Sequence, residues 1–364
     1  MKVAIVYDRL NKWGGAERVL VALREIFPSA HLFTSVHFQE KTPSNYGVDW
    51  QQEFTKVTTS FLQRIAPARR NHEFFAPLMP LAFESLDLSS YDLVISVTSE
   101  FAKGVITGPY TLHICYCLTP TRYLWSGHDD YFSNKLLRVI SQPVVYYLRK
   151  WDVAAAQRPD LIVSISNEVK KRVGKFYGRE SKVIYPPTHL NTGKAKAKKS
   201  GKYYLLVSRL VSYKKVDLAI EAFNKMGKEL VIVGEGRCER DLKLKAKKNV
   251  VFLRRLTDRK LSYYYMNTRA LIMPQDEDFG LAAVEVQMHG KPVIAFKAGG
   301  ALDTVIEGAT GVFFDKQTPA SIIDAIERFE KMNFSKKIIK QNAKRFSKEK
   351  FKREFAQFVK DAAR

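Results

Sequence analysis

Short apolar runs, rich in β-branched and aromatic residues, alternate along the chain with stretches in which apolar residues recur every three to four positions. The first pattern is typical of buried strands and the second of amphipathic helices. Because strands that alternate with helices form parallel sheets covered on both faces, we predict an α/β fold. Strands are predicted at residues 3–7, 93–97, 113–117, 161–165, 204–207, 230–233, 250–253, 270–273 and 292–296.

The alternation is interrupted once, after Pro186, by a lysine-rich stretch with almost no large apolar residues. Such a stretch cannot offset the entropy of ordering a core element, so it predicts a linker at 187–202. A chain of 364 residues is long enough for two domains, predicted at 1–186 and 203–345. Residues 338–363 are predicted to form one basic amphipathic helix, whose end, 346–364, is free to pack on the first domain.

The composition favours a reduced compartment. The chain has an odd number of cysteines, namely Cys115, Cys117 and Cys238. The first two are too close in sequence to form a disulfide easily. The apolar run at the N-terminus is too short for a signal peptide, and no run of 18 apolar residues predicts a membrane span. We therefore expect a cytoplasmic protein whose cysteines are small buried side chains.

The net charge of +23 is unevenly distributed. Residues 1–158 contain 17 basic and 14 acidic residues, whereas the remainder contains 43 and 23. Such an excess favours anionic partners, namely nucleotide phosphates, acidic lipid or nucleic acid, unless it is only a solvated basic face. Nucleic acid is the least favoured, because the chain has no recognisable binding motif and no aromatic residues among its lysine runs.

Two segments of the first domain mix basic with large apolar residues, at 54–82 and 135–151. This composition predicts contact with the anionic surface of a membrane. The alternative is that both are ordinary helices packed on the first sheet. The predicted location is therefore the cytoplasm, with peripheral contact at the inner face of the cytoplasmic membrane.

Paired glycines follow two predicted strands, at Gly14–Gly15 and Gly299–Gly300. Glycine lets the backbone approach a ligand closely, and the helix that follows favours anions at its N-terminus. The first pair does not fit the GxGxxG pattern of dinucleotide sites, and the segment from Gly234 to Gly236 also fails it, because Glu239 stands where the third glycine should be. Each glycine pair is either part of a binding site or only a tight turn.

Arg209 and Lys214 follow the strand predicted at 204–207. Ligands of doubly wound sheets bind beyond the carboxyl ends of the strands, so both side chains are placed to reach a ligand. The planar guanidinium can donate to two phosphate oxygens, and the ammonium adds a compact charge. The pair suits a diphosphate, although solvated surface cations are the alternative.

Glu277 and Glu285 follow the strand predicted at 270–273, the first in the loop and the second about two turns into a helix. Carboxylates accept paired hydrogen bonds from neighbouring hydroxyls, as on ribose or a hexose. The alternative is the ordinary preference of acidic residues for helix N-termini. Asp276 and Asp278 fit the DxD pattern of a metal site, but the flanking FGL sequence and the second glutamate favour another use, and we predict no metal.

These motifs together resemble the retaining glycosyltransferases of family 4: GGAERV at 14–19, SRLVSYKKVDLAI at 208–220, VGEG at 233–236, EDFGLAAVE at 277–285 and GGALDTVIEGATGVFF at 299–314. The resemblance implies the GT-B fold of two facing Rossmann-like domains. A closer resemblance, to bacterial O-antigen and exopolysaccharide mannosyltransferases, rests on HICYCLTPTRYLW at 113–125, RKWDVAAAQRPD at 149–160 and VIYPPTHLN at 183–191. It implies GDP-mannose as donor and a saccharide or lipid-linked saccharide as acceptor.

The resemblance also implies roles for individual residues. Arg209 and Lys214 hold the donor diphosphate, Glu285 binds the nucleotide ribose, and Glu277 faces the donor sugar. The implied reaction is a same-face attack assisted by the leaving phosphate, with no cofactor and no metal. Further contacts to the donor are implied for Gly15, Leu256, Phe279, Gly280 and Leu281.

One position departs from the family. Relatives commonly carry His in a YCHTP stretch, where this chain has Leu118. Leucine cannot exchange a proton, so His113, Thr119 or Arg122 takes part of that role, or the acceptor differs. Since His113 falls inside a predicted strand, it is alternatively a packed core histidine. Other functions compatible with the resemblance are transfer from a UDP-hexose, or a nucleotide-sugar epimerase or phosphorylase on the same fold.

Overall fold

The computed structural model describes residues 1–11, 13–38, 49–128, 135–188, 201–254 and 256–363. The chain divides into two compact units, Met1–Pro187 together with Lys348–Arg364, and Thr188–Ser347. Each unit contains a parallel sheet and an apolar core. The linker stretch predicted from lysine content falls mostly outside the described residues.

A parallel sheet of seven described strands forms the centre of the first unit. The strands are β1 Val3–Tyr7, β2 His31–Thr34, β3 Val57–Thr59, β4 Leu93–Thr98, β5 Leu112–Cys117, β6 Leu161–Ser164 and β7 Lys182–Val183. Their order across the sheet is β3-β2-β1-β4-β5-β6-β7. Every residue of β1 and β4 is buried. This explains why the sequences of these central strands are almost continuously apolar.

Helices pack on this sheet. They are α1 Gly15–Ile26, α2 Trp50–Glu53, α3 Ala66–Arg70, α4 Met79–Glu84, α5 Lys135–Ala155 and α6 Asn167–Tyr177, with 3₁₀ turns at Phe61–Arg64, His72–Leu78 and Ala102–Gly104. Local sequence sets some of their ends. The Ser166 hydroxyl accepts the Val169 N–H at the start of α6, and Gly178 ends the helix with a φ of 64°.

The second unit has a parallel sheet of six described strands. They are β8 Tyr204–Val207, β9 Leu230–Val233, β10 Val250–Leu253, β11 Leu271–Met273, β12 Val293–Phe296 and β13 Gly311–Phe314, in the order β10-β9-β8-β11-β12-β13. Around it lie α7 Val216–Met226, α8 Glu239–Lys245, α9 Asp258–Asn267, α10 Leu281–Met288, α11 Ala301–Thr304, α12 Pro319–Glu330 and α13 Lys336–Ala343. The predicted parallel α/β architecture is confirmed in both units.

The continuous helix predicted over 338–363 is wrong. The chain forms α13, then a 3₁₀ turn at Lys344–Phe346, and then a separate helix, α14 Lys348–Ala362. Ser347 between them is extended, with a φ of −68° and a ψ of 153°. The cause is tertiary: the buried Phe346 ring packs 5.4 Å from that of Phe279, and the Phe346 carbonyl accepts the Thr188 N–H.

Helix α14 packs within the first unit. The rings of Phe351 and Phe355 lie 5.7 and 5.9 Å from that of Tyr116 on β5. At the start of the helix, Lys348 and Lys352 each donate to the carboxylate of Glu25 on α1, at 2.8 and 2.9 Å. The apolar face of this helix therefore completes the core around β5, and its basic face pairs with α1.

Candidate functional site

The strand order of the second unit reverses between β8 and β11. Strands β9 and β10 extend the sheet on the β8 side, and β12 and β13 extend it on the β11 side. In doubly wound sheets the ligand crevice lies at such a reversal, outside the carboxyl ends of the strands. Arg209 lies two residues after β8 and Glu277 lies four residues after β11, so both predicted clusters lie at this point.

Lys214 and Glu277 form an ion pair here. Lys214 Nζ lies 2.6 Å from Glu277 Oε1, and their side chains are only 9% and 19% exposed. The same oxygen accepts a hydrogen bond from Gln275 Nε2 at 2.7 Å. The Glu277 carboxylate is thus fixed by two donors. Gln275 was missed from sequence. It lies two residues after β11, but nothing in the sequence shows that its side chain is buried.

Tyr213 supports both predicted cations. The Arg209 guanidinium donates a hydrogen bond to the Tyr213 hydroxyl and lies 5.9 Å from the centre of its ring. Lys214 Nζ lies 5.2 Å from the same ring centre. Arg209 is exposed, whereas Lys214 is buried. The site therefore has one cation open to solvent and one held in place, a difference that the sequence did not predict.

The second glycine pair packs against the Glu277 loop. Gly299 adopts a φ of 58°, and a Cβ there would lie 2.4 Å from the Glu277 carbonyl oxygen. The Gly300 N–H donates to this carbonyl at 2.7 Å, and a Cβ on Gly300 would lie 2.3 Å from Phe279 Cα. Side chains at either position would displace the loop. The pair thus sets the position of the Glu277 backbone.

Glu285 lies in α10, which begins after Gly280. Its side chain is buried, and Oε2 accepts a hydrogen bond from the Tyr265 hydroxyl at 2.7 Å. Phe279 is also buried, and Leu256 is partly buried against the core on this side of the sheet. The structure therefore brings Arg209, Lys214, Glu277, Phe279, Gly280, Leu281 and Glu285 to the ends of neighbouring strands of one unit.

The first unit has a similar reversal of strand order, between β1 and β4. Gly15 begins α1 beyond β1, and Gly14 precedes it in an extended conformation. Asp8, buried at the end of β1, accepts the N–H groups of the loop after β4, from Ser99 to Ala102. Asp8 was not selected in the sequence analysis. Its carboxylate fixes the loop that follows β4.

The acceptor-side candidates occupy different environments. His113 lies on β5 and is fully buried, with Nε2 2.9 Å from Ser96 Oγ. Burial, with a smaller contribution from the charge of Arg158, lowers the pKa of His113 to about 3. The ring is therefore neutral near pH 7, as in the packed-histidine alternative. Thr119 follows β5, and its buried hydroxyl has no hydrogen-bond partner among the described residues.

A buried carboxylate, Asp152, anchors the segment that contains Thr119 and Arg122. Asp152 Oδ1 accepts from Lys103 Nζ at 2.6 Å and from the Thr121 hydroxyl at 2.9 Å. Its other oxygen accepts further hydrogen bonds, from Trp125 Nε1 at 2.7 Å and the Tyr177 hydroxyl at 2.8 Å. Asp152 of the RKWDVAAAQRPD motif thus holds the chain that follows β5, through Thr121 and Trp125.

The described residues contain neither a cluster suited to a metal ion nor a helix that could span a membrane. Among the residues that the structure describes, no three His, Cys, Asp or Glu side chains are grouped closely enough to hold a metal ion. No helix in the described ranges combines the length and the apolar character needed to cross a bilayer.

The second unit matches a known family. Residues 190–346 match the family model of the glycosyl transferases group 1. Over 201 residues the chain is 26% identical to an uncharacterized glycosyltransferase of Methanocaldococcus jannaschii, covering 53% of this chain and 56% of that protein. Over 212 residues it is 24% identical to the D-rhamnosyltransferase WbpZ of Pseudomonas aeruginosa, covering 55% of each. The matches thus span about half the length of these relatives.

Solved structures match over nearly the whole chain. The HepE protein of Anabaena in complex with UDP-glucose superposes with a TM-score of 0.68 at 18% identity, covering 99% of this chain and 100% of that one. A sucrose-phosphate synthase from Thermosynechococcus elongatus gives a TM-score of 0.72 at 16% identity, covering 99% of both chains. WaaG, a glycosyltransferase involved in lipopolysaccharide biosynthesis, gives 0.66 at 14%, covering 98% and 99%. These likenesses, with the two parallel sheets, show the GT-B fold.

Proposed function

We propose, from the match of residues 190–346 to the glycosyl transferases group 1, that this protein transfers a hexose from a nucleotide-sugar donor to a saccharide acceptor. The observation that carries the proposal is the cluster of Arg209, Lys214 and Glu277 at the reversal of strand order. It places two cations and a fixed carboxylate where doubly wound sheets bind phosphorylated ligands. Structures of similar fold bind UDP and UDP-glucose, which supports a nucleotide-sugar donor.

In the proposed reaction, Arg209 and Lys214 bind the donor diphosphate, and their attraction grows as charge develops on the leaving oxygen. Glu277, held by Lys214 and Gln275, accepts hydrogen bonds from hydroxyls of the donor sugar. Glu285 binds the ribose. The remaining donor contacts in this unit are Leu256 and the segment from Phe279 to Leu281.

We propose that the anomeric configuration is retained, with acceptor attack on the face from which the phosphate departs. Leu118, directly after β5, has no group that exchanges a proton, and His113 is buried and neutral. In line with the family resemblance, we propose that a phosphate oxygen of the leaving group accepts the proton of the attacking hydroxyl. Thr119 and Arg122 remain as acceptor-side contacts.

GDP-mannose is the proposed donor, on the resemblance of the chain to O-antigen and exopolysaccharide mannosyltransferases. We expect GDP to raise the melting temperature more than UDP or ADP does at equal concentration. A ligand at a hundredfold excess over its Kd stabilises the folded protein by about 2.7 kcal/mol, which raises the melting temperature by several degrees. Differential scanning fluorimetry, followed by transfer assays with GDP-mannose, UDP-glucose and UDP-GlcNAc, tests the donor.

The second candidate is a UDP-hexose donor, which the UDP complexes of the structural neighbours favour. Stabilisation by UDP without stabilisation by GDP would replace mannose by this candidate. An epimerase on the same fold would instead interconvert the free nucleotide sugar without any acceptor, which mass-balance analysis of the donor pool detects.

Independence of metal is a further prediction. Because Arg209 and Lys214 supply the positive charge at the diphosphate, a divalent ion adds little stabilisation of the leaving group. We expect transfer to retain most of its rate in EDTA. Complete loss of activity in EDTA, restored by Mn²⁺, would instead assign Asp276 and Asp278 as metal ligands.

We also propose that the acceptor is lipid-linked and that the first unit contacts the membrane that holds it. Helices α4 and α5 cover the same core, through Met79 and Phe83 from one and Leu148 from the other. Their outward sides expose large apolar residues near that core. In α5 these are Val139, Ile140, Val144, Tyr146 and Tyr147. Leu81 is exposed in α4, and Phe74 and Leu78 are exposed in the 3₁₀ turn before it.

The charge around these apolar residues matches an anionic bilayer. Segments 54–84 and 135–151 contain eight basic residues and two acidic ones. One of the acidic residues, Glu84, pairs with Arg158 at 2.6 Å. A surface of exposed apolar side chains with excess basic charge binds anionic membranes in two ways. The apolar side chains are buried in the bilayer, and the basic residues are attracted to the anionic headgroups.

We expect Phe74→Asp with Leu81→Asp to reduce binding to anionic vesicles at least about tenfold, because two apolar side chains are lost from the contact and two negative charges are added. Flotation with vesicles of phosphatidylglycerol and phosphatidylcholine measures this. Leu244→Asp is the control, because it replaces an apolar residue that is 79% exposed in the second unit by an aspartate. We expect it to leave vesicle binding intact. Equal flotation with neutral vesicles contradicts the proposal.

A further inference from the structure

A buried tyrosine contacts the carboxylate that we assign to the donor ribose. Tyr265, on α9, donates its hydroxyl hydrogen to Glu285 Oε2 on α10 at 2.7 Å. The Tyr265 side chain has no measurable exposure, and Glu285 is 5% exposed. A hydrogen bond with a charged acceptor in such a buried setting is among the stronger ones in proteins.

The position of the Tyr265 hydroxyl is itself fixed by packing. Its ring belongs to the apolar core that contains Leu271, Met273 and Val286. On one side it stacks on the His289 imidazole, with ring centres 5.9 Å apart and planes inclined by 23°. A ring packed in this way cannot rotate without disturbing the core, so the hydroxyl points at one place.

The Glu285 carboxylate needs such a partner. The final torsion of a glutamate side chain is broad and has no sharp minima, so the side chain alone does not define the plane of the two oxygens. Two neighbouring hydroxyls on a ribose require that plane to have a set orientation. A hydrogen bond from a rigid donor to one oxygen defines the plane before the ligand arrives.

We infer that Tyr265 is a positioning residue for nucleotide binding: it orients Glu285 to accept both ribose hydroxyls, and so determines how strongly the protein distinguishes a ribonucleotide from a dideoxynucleotide. The inference rests on the proposed nucleotide-sugar function and extends it to a residue outside the recognised motifs. Nothing in the sequence distinguishes Tyr265 from the two tyrosines that precede it, at 263 and 264.

Tyr265→Phe tests this, because it removes one oxygen and keeps the packed ring. Dissociation constants are measured by calorimetry for GDP and 2′,3′-dideoxy-GDP, with the matching uridine pair in parallel. For the unmodified protein we expect the ribonucleotide to bind roughly a hundredfold more tightly. In Tyr265→Phe we expect this ratio to fall to about tenfold or less, with the affinity for the dideoxynucleotide almost unchanged.

The chain offers a matched control. Tyr203→Phe removes a hydroxyl that donates to the Tyr264 carbonyl at 3.0 Å, on the same helix α9. It is expected to leave the ratio unchanged. Glu285→Gln, which keeps the side-chain shape, is expected to lower the ratio at least as much as Tyr265→Phe does.

The outcomes separate the inference from the proposed function. A ratio in Tyr265→Phe equal to that of the unmodified protein overturns the positioning role and leaves the nucleotide site intact. An equal loss of affinity for both ligands assigns Tyr265 to general stability of the unit and also overturns the role. If the unmodified protein binds none of the four nucleotides, the proposed function fails, and the inference fails with it.

Discussion

Arg209→Ala is expected to lower kcat by about 10²–10³-fold while the protein remains folded. Loss of one preorganised donor to a developing negative charge typically costs that much. The Arg209 side chain is exposed, and its described contacts are with Tyr213 alone, so its removal costs little stability. Steady-state kinetics with a donor screen, together with thermal unfolding of the variant, measure both quantities.

Two further variants show what Arg209 does. Arg209→Lys is expected to rescue little of the lost rate, because a point charge cannot reproduce the two-oxygen geometry of the guanidinium. Lys202→Ala, which also removes an exposed cation before β8, is expected to leave kcat and KM within about twofold. An increase in KM alone for Arg209→Ala would make the residue a ground-state binder. No change in either constant would place the donor site elsewhere.

Lys214→Ala is expected to lower kcat by at least as much and also to lower the melting temperature. Lys214 is buried and lies 2.6 Å from Glu277 Oε1, so its loss leaves a partly buried carboxylate without its cation beside the incoming diphosphate. Removing one partner of such a pair is more harmful than removing both. The double variant Lys214→Ala with Glu277→Gln should therefore recover part of the lost stability without recovering activity.

The neighbouring lysine provides the control for Lys214. Lys215 has a φ of 51° and stands at the N-cap of α7, so it belongs to the turn and not to the ion pair. Lys215→Gln keeps a long side chain and removes the charge, and it should leave kcat within about twofold. A loss of rate as large as that of Lys214→Ala would show that the total charge of the loop matters more than the Lys214–Glu277 pair.

The parallel sheets were predictable from sequence because a strand buried on both faces must be apolar along its whole length. Each of the nine strands predicted is present, with ends shifted by at most one residue. Four strands, β2, β3, β7 and β13, were not predicted. The first three are short and contain His, Thr or Lys, and β13 is a run of four residues that begins with glycine. The break between α13 and α14 was also missed, because it depends on a contact between Phe346 and Phe279, which lie far apart in the chain.

The sequence was sufficient to predict which strand ends carry the candidate site. Parallel strands present their carboxyl ends at one edge, so the segments after β8 and β11 had to be close once those strands were adjacent. The direction of each side chain was not predictable. The pairing of Lys214 with Glu277 and of Tyr265 with Glu285 depends on packing between helices and loops. For the same reason, sequence alone left open whether His113 faces a ligand or the core.

The helix α14 has a consequence for biosynthesis. The first unit takes its last helix from the end of the chain, through the contacts of Phe351 and Phe355 with Tyr116. During translation the whole second unit leaves the ribosome before that helix does, a delay on the order of ten seconds at ordinary elongation rates. Throughout that interval the apolar surface around β5 is uncovered. The unit that is synthesised first is therefore the unit that is completed last.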